Sequence, residues 1–277
     1  MRFSQSSFVY FDYPLQEAIR RLHRFGYRGI EIWGGRPHAY RGDLDGQLGE
    51  LRALLEKCSM AVANFVPAQF RYPSILCSGN ETVRRDSVGY IEHAIENAVK
   101  LGAPHVSVCP GKTLHGEDMR AGWEQLRRSL KELLDYAVGK DVILLIEPAH
   151  RFESNLILTV RDGLRMIEEI GSDRLGILLD TGHANVNGED LAQIVLSLRG
   201  VPLHIHIDDN DGTSDAHLVP GDGKIDFAPF VMALRQIGYT GFISAELGFG
   251  YTSDPDPAVE RSLTWLRETF GPQREAA

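Results

Sequence analysis

Four side chains with chemical potential close four separate apolar runs. VILLIE ends at Glu147, LGILLD at Asp180, LHIH at His206 and FISAE at Glu246. Each run is short, rich in Ile, Leu and Val, and followed by a polar turn and then a helical pattern. A charged group at the end of a buried strand is costly unless something compensates it. A single such carboxylate fits a structural ion pair. Three carboxylates and an imidazole at equivalent places in successive units point to a shared partner, and a divalent cation is the simplest one. The donor set is hard and oxygen-rich, which suits Mn²⁺, Co²⁺, Mg²⁺ or Zn²⁺ with positions left open for substrate oxygens. The lack of thiolate donors argues against a structural zinc. In LHIHIDD, His204 and His206 point to the same side and His206 lies nearer the strand's C-terminal end. His206 is therefore the expected ligand, and His204 an expected interior residue held by hydrogen bonds.

A cation that grips a carbonyl and a neighbouring hydroxyl acts as a Lewis acid and stabilises the enediolate left when the α-proton departs. That proton needs a base, and inversion needs a second acid–base group on the opposite face. Glu147 and Glu246 come from well-separated strands and can flank the reacting carbon, given partial desolvation to raise their pKa values. His183 follows Asp180 by three residues and is expected to orient a substrate hydroxyl or back the cation site; the blander role is a loop cap. Glu31 and Trp33 end the run IEIW, where an aromatic face beside a carboxylate suits a polyol. Trp33 could equally plug the mouth of the site. His217 lies in the long polar stretch IDDNDGTSDAHLVPGDG and could fold back over the site. Lys112 and Arg36 could meet an anion or simply be solvated.

Bringing those residues together needs a scaffold, and the chain is periodic throughout. Strand-like runs occur at RFSQSS, GIEIWG, MAVANFVP, HVSVCPG, DVILLIEP, LGILLDTG, LHIHIDD and GFISAEL. Between them lie helical patterns such as LQEAIRRLHRFG, LGELRALLEKC, SVGYIEHAIENAVKLG and WEQLRRSLKELLDYAVG, apolar at i, i+3, i+4 and i+7. Gly26, Gly102, Gly139, Gly171 and Gly238 read as left-handed C-caps ahead of the next strand. Eight strand–helix units predict one (β/α)8 barrel over residues 1–277, whose C-terminal strand ends converge on one face. An open doubly wound sheet is the competitor. No GxGxxG turn follows the first strand, and polar residues recur at strand ends around the whole chain, so the barrel is preferred.

The 277 residues carry a formal net charge of -9, which argues against holding nucleic acid through phosphate neutralisation. Cys58, Cys77 and Cys109 are odd in number and irregularly spaced, so no disulfide framework is expected. The first residues, MRFSQSSFVYFDYP, show no secretory pattern, and no apolar stretch approaches a membrane span. A cytoplasmic protein is expected, and the Asn80-Glu81-Thr82 sequon is read as ordinary sequence.

The motifs IEIWGGRPHAY, IEPAHRFESN, HIHIDDNDGTSDAHLVPGDGK and the terminal SAEL resemble the sugar isomerase/epimerase superfamily of xylose-isomerase-like barrels. Within it they are most similar to the fructoselysine and ketose 3-epimerases, over essentially the whole chain. The resemblance implies a cation held by Glu147, Asp180, His206 and Glu246, usually Mn²⁺ or Co²⁺, with the two glutamates exchanging the proton at C3. It also implies a sugar substrate bound in part by His183, and assembly as a dimer or tetramer. Where ketose 3-epimerases carry an arginine ahead of a V-P-G turn, this chain has His217 before LVPG, so hydroxyl recognition must differ. Rim aromatics Trp33, Tyr40, Phe70, Tyr72, Phe249 and Tyr251 could cover substrate or meet a second subunit. An aldose–ketose isomerase or a keto-sugar dehydratase or lyase would use the same grip. A zinc phosphodiesterase of the endonuclease IV kind shares His183 and the DAH of Asp215–His217. It also needs histidines on the third and fourth strands, where this chain reads ANFVP and SVCPG.

Overall fold

The computed structural model describes residues 1–69 and 74–272. Eight strands form one closed, all-parallel barrel in sequence order, with the first pairing the last. They are β1 (Arg2–Ser6), β2 (Gly29–Trp33), β3 (Ala61–Val66), β4 (His105–Val108), β5 (Ile143–Ile146), β6 (Leu175–Asp180), β7 (Leu203–Ile207) and β8 (Phe242–Ala245). All eight expected strands are present. The helices are α1 (Leu15–Phe25), α2 (Leu48–Lys57), α3 (Glu81–Leu101), α4 (Met119–Tyr136), α5 (Val160–Ile170), α6 (Thr181–Val186), α7 (Leu191–Ser197), α8 (Phe227–Ile237) and α9 (Asp256–Phe270). Among the described residues, no helix is long and apolar enough to cross a membrane.

Strand alternation sorts the barrel into two layers. Ile30 and Ile32 of β2, Ile177 and Leu179 of β6, Ile205 and Ile207 of β7, and Ile243 of β8 join the apolar cluster under the helices. Their neighbours in sequence face the axis instead: Ser4, Glu31, Asn64, Ser107, His204, His206 and Ser244 are buried there. A parallel barrel interior is usually filled by branched aliphatics. Here one side of it is a polar layer lying beneath the strand ends.

Local signals account for the helix ends, with two departures. Gly26, Gly102, Gly171 and Gly238 are left-handed C-caps as expected. Gly139 is left-handed too, but α4 has already ended at Ala137, so it shapes the following turn rather than the cap. Helices α3 and α4 begin earlier than their apolar periodicity because Asn80 and Asp118 cap them. The Asn80 side chain accepts from the N–H groups of Thr82 and Val83, which gives this residue a structural role.

Gly176 in β6 is set by space. A Cβ there would lie 2.2 Å from the Pro202 carbonyl oxygen. Gly176→Ala is therefore expected to destabilise the fold by about 1–3 kcal/mol. That corresponds to a Tm lower by roughly 2–12 °C; a thermal melt within 1 °C of wild type would contradict the reading.

Candidate active site

The four strand-end residues meet at the C-terminal rim. His206 Nδ1 lies 2.8 Å from Glu246 Oε2, 3.4 Å from Glu147 Oε1 and 3.7 Å from Asp180 Oδ2. Backbone bonds fix the two glutamates: Glu147 N–H donates to Val108 O and Glu246 N–H to Ile207 O, each extending the ladder past the last strand residue. Asp180 caps α6, its Oδ1 accepting from His183 N–H at 2.7 Å. The other oxygen, Asp180 Oδ2, and His206 Nδ1 are buried without a hydrogen-bond partner. Buried polar atoms are rarely left unsatisfied, so two that face each other between further carboxylates are matched to a cation. One ligand atom from each residue lies within 4.8 Å of all the others, and three carboxylates with an imidazole suit a divalent metal.

Electrostatics divide the two glutamates. Burial raises the Glu147 carboxyl above its ordinary range despite the opposing pull of His206. Glu246 bears the same burial penalty, but His206 outweighs it and its pKa falls below the ordinary value. Burial would depress His206, yet Glu246 and Glu31 lift it well above the usual imidazole range.

A second polar group stands beside the first. His150 Nε2 is 2.9 Å from Asp215 Oδ2, and that oxygen also lies 2.8 Å from His217 Nε2 and 3.5 Å from His183 Nε2. Burial would raise the Asp215 carboxyl, but the three imidazoles hold it far below its usual range. The loop after β7 reaches this place because Asp209 staples it. Its carboxylate accepts from the N–H groups of Asn210, Gly221, Gly223 and Ile225, and its backbone pairs with Leu218. His217 has φ +41°, a sparsely populated conformation for a residue with a side chain. Such strain persists where surrounding structure enforces it, frequently at functional sites.

The sequence singled out His183 and His217 but missed His150. One signal was available: Glu147-x-x-His150 repeats the spacing of Asp180-x-x-His183, three residues after a strand-end carboxylate.

A cavity of about 430 Å³ opens above the cluster, lined by Glu147, Glu246, His183, Asp215, His217 and Trp33 among others. Trp33 forms an aromatic wall with Phe8 and Phe249; Phe8 has its ring 5.4 Å from Trp33 and 4.8 Å from Phe249, edge to face. Glu31 is a correction. It was expected beside Trp33 against substrate, but it is wholly buried inside the barrel, bonded to His204 and His206, and does not line the cavity. His204 is the interior residue expected, held by Glu31 and Ser244. Arg36 pairs with Asp43 at the surface, and Tyr40 packs on Tyr90. Phe70 and Tyr72 lie outside the described residues.

Barrel, acidic rim and sugar-sized cavity define a class. The chain belongs to the xylose isomerase-like TIM barrel family, whose pattern matches residues 19–269. It is 32% identical over 255 residues to fructoselysine 3-epimerase of Shigella flexneri, covering 92% of each chain. It is 25% identical over 277 residues to 3-dehydro-D-guloside 4-epimerase of Escherichia coli (strain K12), covering 96% of this chain and 99% of the relative. Among solved structures, a D-tagatose 3-epimerase-like protein superposes with TM-score 0.81 at 26% identity, over 97% of this chain and 99% of that one. This protein is a sugar isomerase/epimerase enzyme.

Proposed function

We propose that the enzyme inverts C3 of a ketose or ketose derivative by removing and returning the proton on that carbon. One observation carries the reading. Glu147 and Glu246, from β5 and β8, approach the same imidazole nitrogen from different strands and both face the cavity. Two carboxylates so placed can address opposite faces of one carbon, which is what inversion requires. An epimerase runs both ways, so each glutamate serves as base in one direction and acid in the other.

Glu147, Asp180, His206 and Glu246 would hold the divalent cation, with Mn²⁺ our first choice and Co²⁺, Mg²⁺ or Zn²⁺ alternatives. When bound, the cation supplies Lewis-acid polarisation of a carbonyl and its neighbouring hydroxyl. The chain's own groups do the rest. His183 and His217, held by Asp215, orient hydroxyls further along the sugar, and His150 fixes Asp215. Trp33, Phe8 and Phe249 exclude water and offer apolar faces to the carbon chain.

A second cavity of about 450 Å³, lined by Ile75, Pro110, Lys112 and Phe152, shares Gln69, Cys109 and Glu153 with the first. That room favours a ketose carrying a substituent over a free hexose.

The test is solvent exchange. The Mn²⁺-loaded enzyme in deuterated water, given fructoselysine or D-fructose, should place deuterium at C3 of both epimers. Label at C1 or C2 would instead indicate an isomerase, label at C4 a different inversion, and loss of water a dehydratase. Epimer formed with no solvent label would remove the proton-transfer mechanism altogether.

A further inference from the structure

We infer that Glu31, which touches no substrate-facing surface, is a positioning residue that prepares His206 to hold the cation. The inference rests on the reading that Glu147, Asp180, His206 and Glu246 form the cation site. His206 presents its two ring nitrogens to different partners. Nδ1 faces the three rim carboxylates, while Nε2 lies 2.8 Å from Glu31 Oε2. A neutral imidazole carries one proton. A carboxylate can only accept, so Glu31 draws that proton to Nε2 and leaves the Nδ1 lone pair for the cation. A carboxylate behind a ligating histidine also fixes the ring plane and raises ligand basicity.

The bland alternative is an ion pair that merely stabilises the barrel, and the surroundings argue against it. Glu31 is wholly buried, and its second oxygen, Oε1, has no hydrogen-bond partner. Neighbouring Asn64 Oδ1 and, deeper, His105 Nδ1 are buried and unpartnered as well. Buried ion pairs are often no better than apolar packing of similar volume, and unpaired polar atoms make the balance worse. Stability alone would favour branched aliphatics in this layer.

The rest of the layer bonds within itself, Asn64 Nδ2 also donating to Ser107 Oγ at 2.6 Å, and converges on Glu31. Asn64 Nδ2 donates to Oε2 at 3.0 Å, and His204 Nε2 lies 3.1 Å from it. His204 is in turn 2.9 Å from Ser244 Oγ, which sits 2.6 Å from Ser4 Oγ. His206 is thus oriented from β1, β2, β3, β7 and β8 together, a rigid frame rather than a loop. The β2–β3 register shifts between Ile30 and Glu31, Ala63 of β3 being the extra residue, so that Glu31 pairs with Asn64.

Metal-stripped, full-length protein titrated calorimetrically with Co²⁺, with the visible spectrum of the bound ion recorded, tests this. Wild type should bind one Co²⁺ at the rim, and Asp180→Ala should weaken that binding sharply. Glu31→Gln should bind roughly 10–100-fold more weakly and shift the Co²⁺ bands. Gly176→Ala strains β6 against Pro202 without contacting a proposed ligand, so it should lower Tm but leave affinity within about threefold, below the range expected for an orienting partner. A second measurement needs no variant: nitrogen-15 NMR of the histidine rings in Zn²⁺-loaded wild type should find the His206 proton on Nε2. Wild-type-like Co²⁺ affinity and spectrum in Glu31→Gln overturns the inference while leaving the cation site intact; a proton on Nδ1 in the loaded protein overturns the inference and also removes His206 from the ligand set. Failure of wild type to bind Co²⁺, with no difference in Asp180→Ala, overturns the cation site and this inference with it.

Discussion

Glu246→Gln is expected to reduce turnover by on the order of 10³-fold or more while the protein remains folded. Glutamine keeps the size of the side chain and one carbonyl oxygen, but it cannot accept a proton near neutral pH and carries no charge. A positioned acid–base group typically contributes about 10²–10⁴-fold. The lost charge adds to this, because Glu246 Oε2 is the oxygen nearest His206 Nδ1 at 2.8 Å and also lies 3.9 Å from His217 Nδ1. Glu147→Gln should be equally severe in turnover. The two variants should differ in solvent exchange, since each retains the base on one face only. With Mn²⁺ in excess, each is expected to wash label into one epimer and not the other. Steady-state kinetics with label analysis decides the matter. A residual kcat above a tenth of wild type in either variant would remove that glutamate from the proton-transfer pair.

Chelation should abolish activity, and added Mn²⁺ or Co²⁺ should restore it, with a pH dependence set by His206. In metal-free protein, burial opposes the imidazolium, but Glu246 and Glu31 lift its pKa well above the usual value of about 6.5. The sign follows from that raised pKa. The protonated ring contributes stability that is complete below about pH 6.5 and is lost as pH rises through the higher folded-state value. A cation on Nδ1 must displace that proton, so affinity should weaken by about tenfold for each pH unit lowered below the folded value. Added cation should raise stability by about 2.7 kcal/mol at a hundred times Kd. For a chain of this size that corresponds to a Tm higher by roughly 5–10 °C. Melting curves with and without Mn²⁺ at pH 6 and pH 8 check both statements: the increment should be larger at pH 8. Full activity in protein shown to be metal-free would contradict the cation reading.

Much of this molecule was legible in one dimension because its determinants are local. Alternation within LHIHI put His204 and His206 on one side and Leu203, Ile205 and Ile207 on the other, as the two layers of the barrel require. Glycines marked four helix ends, since capping is decided within a turn of chain. Repetition of strand, carboxylate or imidazole, turn and helix was enough to foresee that Glu147, Asp180, His206 and Glu246 would meet, but not that Glu31 would lie beneath them or that His150 would join the second group.

Depth inside the barrel was not local. Glu31 and Trp33 lie two residues apart on the same side of β2, about 6.6 Å along the strand. That step separates a residue under His206 from one in the cavity wall. Which position falls at which level depends on strand stagger around the closed sheet and on the β2–β3 register shift at Ile30/Glu31, neither of which leaves a periodic trace. Likewise His150 and Asp215 are 65 residues apart, on loops that meet only because Asp209 folds one back toward the other. The chain by itself determined the eight units and the groups at their ends. Only closure of the barrel decided which of those groups face the cavity and which lie beneath the rim, because that choice is made by contacts between strands rather than along them.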